Sequence, residues 1–87
     1  MIEEIKKLIN EKLDYHAQLM ETRLNYSKDY AYRSLISYKH DPKLQEQANA
    51  NCQWHDGSRD GHQAAMGSLE HILTKIQELE QQNETDN

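Results

Sequence analysis

One proline interrupts this 87-residue chain, and on either side of it apolar residues repeat at helical spacing. Read at about 100° per residue, Ile2, Ile9, Leu13, His16, Met20, Leu24, Ser27, Ala31 and Tyr38 fall within about 40° of one line, with Ile5 and Leu35 just outside it. This predicts a helix over about 2–39, roughly 57 Å long at about 1.5 Å per residue. His40-Asp41-Pro42 ends it, because the residue before a proline is pushed out of the α region. Pro42 then suits the first turn of a second helix, with Asp41 as its N-cap.

The second helix is expected over about 43–81, with Leu44, Ala48, Asn51, His55, Arg59, His62, Met66, Leu69 and Leu73 on its line and Cys52 and Ile76 at the edges. Residues 82–87 are polar and aperiodic and are expected to fray. Two Asp-Gly pairs within Asp56-Gly57-Ser58-Arg59-Asp60-Gly61 are ordinary turn signals, and each mid-helix glycine costs about 1 kcal/mol against alanine. The apolar positions nevertheless keep one phase across this segment, so the helix is expected to run through it or kink there, with a break near Gly57–Gly61 as the alternative. The fold class is therefore all-α, a single-domain antiparallel hairpin of two long helices over 1–87. A two-residue connection brings positions summing to about 82 face to face, so Leu13 should meet Leu69 and Ile9 should meet Leu73.

A chain this short buries only about 60% of its unfolded surface. Its apolar content is 36%, and one proline and three glycines leave too few turn signals for a sheet-rich fold. Leu8, Leu19, Tyr26 and Tyr30 on the first arm and Trp54, Ala65, Ile72 and Leu79 on the second lie beside the main stripe. Covering them calls for a homo-oligomer, a dimer or higher helical bundle.

Charge limits the partners. Through Lys43 there are eight Lys/Arg against seven Asp/Glu; from Leu44 onward there are two against eight. An acidic second arm does not suit phosphate neutralisation, so neither nucleic acid nor anionic membrane is an expected partner. The single Cys52 excludes an internal disulfide, and no apolar run is long enough to span a bilayer or serve as a signal peptide. The expected location is the cytoplasm.

The candidate site lies where polar residues interrupt the second stripe. His55, Arg59 and His62 occupy three successive inward turns, and a buried guanidinium requires an anion, water or an acidic partner. Trp54, Tyr26 and Tyr30 adjoin them. Arginine, imidazole and stackable rings together suit a nucleotide-type ligand; the structural alternative pairs Arg59 with Asp29 or Asp56. The five tyrosines, all in the first arm, are equally suited to subunit or partner-protein contact.

Catalytic and metal readings fare worse. Asp56, Ser58, Asp60 and Gly61 match the first half of a calcium loop, but Gly67 stands where the closing glutamate belongs. Cys52, His55 and His62 fall short of zinc-finger spacing. No Glu-x-x-His occurs, as a di-metal bundle requires, and Cys52 has His55 nearby but no electropositive setting. No enzyme activity, cofactor or metal is expected.

Gly57-Ser58-Arg59-Asp60, followed by Ala64-Ala65 and Leu69-Glu70, resembles the C-terminal helix of phage cyclic-nucleotide sponges, within the wider group of small acidic, tyrosine-rich helical anti-defence proteins of bacteriophages. Ser68 and Leu73 depart from that helix, which carries a lysine and a tryptophan there. The resemblance implies oligomeric sequestration of a signalling nucleotide, in the host cytoplasm if the chain is phage-encoded. The competing expectation is an inhibitor or adaptor that docks on a host protein through its tyrosine-rich helix and acidic arm.

Overall fold

The computed structural model describes residues 1–86, with side chains described through residue 83. Helix α1 spans Ile2–Tyr32, a π-helical segment follows over Arg33–Ser37, and helix α2 spans Pro42–Asp86. The helices pack antiparallel as a hairpin measuring 71 × 15 × 14 Å.

The bend forms for the reasons the sequence suggests. Asp41 Oδ1 accepts the Leu44 N–H at 3.2 Å, the expected N-cap bond, and Pro42 is the first helical residue. The end of the first arm differs from expectation. The helix does not continue regularly to Lys39: the Tyr38 N–H reaches back to Arg33 O at 2.8 Å, the five-residue span of a π turn. Ser34 is fully packed in the seam here, while Leu35 and Ile36 are 71% and 53% exposed. Polar pairing explains this phase. Ser34 Oγ donates to Asn49 Oδ1 at 2.6 Å, and its carbonyl accepts from Gln45 Nε2 at 2.9 Å.

Helix α2 is continuous through Gly57 and Gly61, with no positive φ at any described glycine. The break and the calcium loop do not form: the segment is helical, and helical backbone turns Ser58 about 200° around the axis from Asp56, away from the face that Asp56 and Asp60 share. α2 also runs on to Asp86, past the expected end near Gln81; of the tail expected to fray, Asn87 lies outside the described residues. Gln81 and Gln82 are good helix formers, and no glycine or proline stops the chain there. Its inward line is rotated slightly from expectation near the bend: Asn51 is exposed, and Gln45 and Cys52 turn toward α1.

Cross-helix pairs lie on either side of the expected sum of 82, including His16 with His62, Ser27 with Asp56, Ser34 with Asn49 and Lys6 with Glu80. The last pair closes the open end at 2.6 Å. Hydrogen bonding to Glu80 is the main cause raising the Lys6 pKa above its ordinary 10.5.

Two helices cannot enclose much. Ile9 and Ala48 are the buried apolar residues, at 7% and 3% exposure. The radius of gyration is 19.8 Å, against about 12 Å for a compact chain of this length. The accessible surface of 6676 Å² likewise exceeds the roughly 5,400 Å² expected of a compact monomer of this mass. No described helix is long and apolar enough to cross a membrane.

Candidate functional site

Four of the six residues singled out from the sequence meet in one cluster. Tyr26 and Tyr30, one turn apart on α1, both lie nearly parallel to the His55 ring of α2. Their centroids are 5.0 and 5.6 Å away, at interplanar angles of 14° and 13°. Trp54 meets His55 edge-on at 4.9 Å and 87°. Such offset and T-shaped contacts favour ordered rings over a fluid patch.

Arg23 completes the cluster, and sequence reasoning missed it. Its guanidinium lies 4.9 Å from the Trp54 ring centroid, and Nη1 donates toward His55 Nδ1 at 3.4 Å. Arginine is always the donor, so His55 Nδ1 is the accepting atom of this contact. The Arg23 Nε is buried without a hydrogen-bond partner. A signal for Arg23 existed: it sits one turn before Tyr26, between the inward line and the aromatic flank. Arg33 extends the array, with its guanidinium 5.4 Å from the Tyr30 ring centroid and bonded to Asp29 at 2.9 Å.

His62 and Arg59 do not join this cluster. His62 lies seven residues along the helix from His55, about 10 Å away at about 1.5 Å per residue, and pairs with His16 instead. The two Nδ1 atoms are 2.8 Å apart, so one ring donates and the other accepts. Tyr15 contacts His16 edge-on at 5.5 Å. Arg59 is half-buried between the two groups, and among the described residues no ion pair includes it. Both carboxylates considered for it are engaged elsewhere: Asp29 holds Arg33, and Asp56 accepts from Ser27 Oγ at 2.6 Å.

No family model, curated protein or solved structure matches the chain.

The half-buried Cys52 thiol is flanked by the Ser27 hydroxyl at 3.4 Å and Asp56 Oδ2 at 4.0 Å, so a hydroxyl and an acceptor carboxylate stand where a nucleophilic thiol wants a cation. Among the described residues, no group of three or more His, Cys, Asp and Glu side chains is placed to hold a metal ion. Two open grooves flank the seam away from the aromatic cluster. One, of about 340 Å³, is lined by Lys6, Gln77, Glu80 and Gln81. The other, of about 430 Å³, is lined by Met20, Gln63, Met66, Gly67 and Glu70. Trp54 and Tyr26 of the aromatic cluster are exposed, and its tyrosines are stacked on the protein's own histidine.

Proposed function

We propose that this chain is a non-enzymatic binding protein that acts as an inhibitor or adaptor, docking on a protein surface through one aromatic-apolar face of the hairpin. The observation that carries the reading is the position of the exposed rings. Helical phase sets Leu8, Tyr15, Leu19 and Tyr26 on one flank of α1, and Trp54, Ala65, Ile72 and Leu79 on one flank of α2. The contacts of Tyr26 and Trp54 with His55 place those two flanks on the same side of the molecule. Trp54 is 60% and Leu79 59% exposed, with Leu8, Tyr15, Tyr26 and Ile72 close behind. Exposed tryptophan and tyrosine beside arginine is the composition of an energetic interface centre, and large contiguous apolar faces mark interaction sites. The surface in excess of a compact monomer, about 1,300 Å², is of the same order as the roughly 800 Å² per partner in a standard interface.

Trp54 is the chain's one tryptophan and reports directly. On complex formation its fluorescence should shift to shorter wavelength. Trp54→Ala combined with Ile72→Ser should abolish the complex at unchanged helicity. Sedimentation of the purified chain separates the two protein occupants, since a second copy gives concentration-dependent mass and a foreign target does not. A complex indifferent to this double substitution would sink the proposal.

A second reading is favoured by the unpartnered Arg23 Nε and by Arg59, half-buried with no ion pair among the described residues. A small anionic ligand of nucleotide type would satisfy such guanidinium donors, and its sequestration would fit the anti-defence role that the resemblance implies. Calorimetry against signalling nucleotides tests this; heat of binding lost in Arg23→Ala supports it, and none across a broad panel excludes it.

A further inference from the structure

We infer that His16, Met20, His62 and Met66 form a binding site for a soft monovalent cation, Cu(I) or Ag(I), across the distal seam. Each helix contributes a histidine and, one turn later, a methionine, all four half-buried. In the antiparallel register near a sum of 82, His16 lies opposite Met66 and Met20 opposite His62, which puts the donors at the corners of a four-sided frame. One observation joins the two nitrogen donors and another the two sulfur donors, in a groove that Gln63, Gly67 and Glu70 also line, while the register sets each pair beside the other. The imidazole Nδ1 atoms already converge to 2.8 Å, and Met20 and Met66 line the same groove.

The donor set determines the class of ion. Two imidazole nitrogens and two thioether sulfurs, with neither thiolate nor carboxylate among them, are neutral and soft. They suit Cu(I) or Ag(I) over zinc, calcium or magnesium, which gain more from anionic or oxygen donors. The net charge of −5 also favours a cation. A tetrahedral ion with metal–nitrogen bonds of about 2.0–2.1 Å needs an N···N separation of about 3.3 Å. The histidine pair therefore opens by about half an ångström, within reach of small side-chain rotations. The donor ring moves its proton from Nδ1 to Nε2, so binding to the neutral pair releases no net proton. Tyr15, edge-on to His16, helps hold that ring in place.

The test uses the full chain carrying Cys52→Ser, since the free thiol would otherwise capture the same ions. Titration with Ag(I), and with Cu(I) under a competing chelator, should show one ion per chain and shift the His16 and His62 imidazole resonances together with the Met20 and Met66 methyl resonances. Substituting an outer-shell group already weakens a metal site by about 10–100-fold, so Met20→Leu with Met66→Leu should lower Ag(I) affinity by at least about tenfold, with helicity and any Zn(II) affinity unchanged. His62→Gln should remove the site. The inference is overturned if Ag(I) affinity is unchanged by the paired Met→Leu substitutions, if His62→Gln still binds one ion, or if Zn(II) binds more tightly than Ag(I).

Discussion

The two halves of the hairpin are held by different chemistry. Near the bend, the seam is polar: Ser27, Ser34, Gln45, Asn49, Cys52 and Asp56 exchange hydrogen bonds between the helices, and Ala48 is the one buried apolar residue. Toward the open end, Ile9 is buried and Leu13, Leu69, Leu73 and Ile76 half-buried, with the Lys6–Glu80 ion pair beyond them. Apolar packing is non-directional and tolerates sliding by a turn. Paired hydroxyls, amides and carboxylates do not, because a slipped register leaves them unsatisfied at about 1–3 kcal/mol each. The difference teaches a division of labour: the distal half supplies most of the driving force, and the bend-proximal half sets the alignment that both the aromatic face and the histidine pair depend on.

Four substitutions test that division. The largest effect is expected from Ile9→Ala, which removes the one large side chain buried in the distal half and should cost about 2–4 kcal/mol in urea unfolding. An equally large loss from an apolar-to-alanine change near the bend would break the comparison. Ser27→Ala removes the 2.6 Å donor to the Asp56 carboxylate and should cost about 1–3 kcal/mol. Its diagnostic readout is positional: the His16 and His62 imidazole resonances should broaden or split if the polar half sets the register, and stay sharp if it does not. The smallest effect is a gain. A Cβ added at Gly57 or Gly61 meets nothing within 4 Å, so Gly57→Ala and Gly61→Ala should each stabilise by about 0.5–1 kcal/mol, as a rise in the thermal midpoint. Destabilisation by either would mean that the glycine face is covered by another chain.

Particular residues show how far the sequence reached into the site. Tyr26, Tyr30, Trp54 and His55 were legible as a group because helical phase and antiparallel register are both periodic. Arg23 was legible only in part: its place one turn before Tyr26 was a signal, but its stem lies between the inward line and the flank, and the position of the Trp54 ring decides where its head goes. The grouping of His62 with His55 failed for a related reason. A shared line on one helix says nothing about which partner each residue meets across the seam, and His16 takes His62.

By itself, the sequence determined the hairpin: two 3.6-residue periodicities separated by Asp41-Pro42 leave the backbone few other solutions, and an unbroken phase carries α2 through its glycines. Local geometry suffices for that. Only the tertiary structure decided the π turn at Arg33–Ser37, the burial of Ser34 in preference to Leu35, and the separation of the histidines into an aromatic stack and an imidazole pair. Those outcomes depend on which polar groups satisfy one another between helices, a matching that no single-helix pattern encodes.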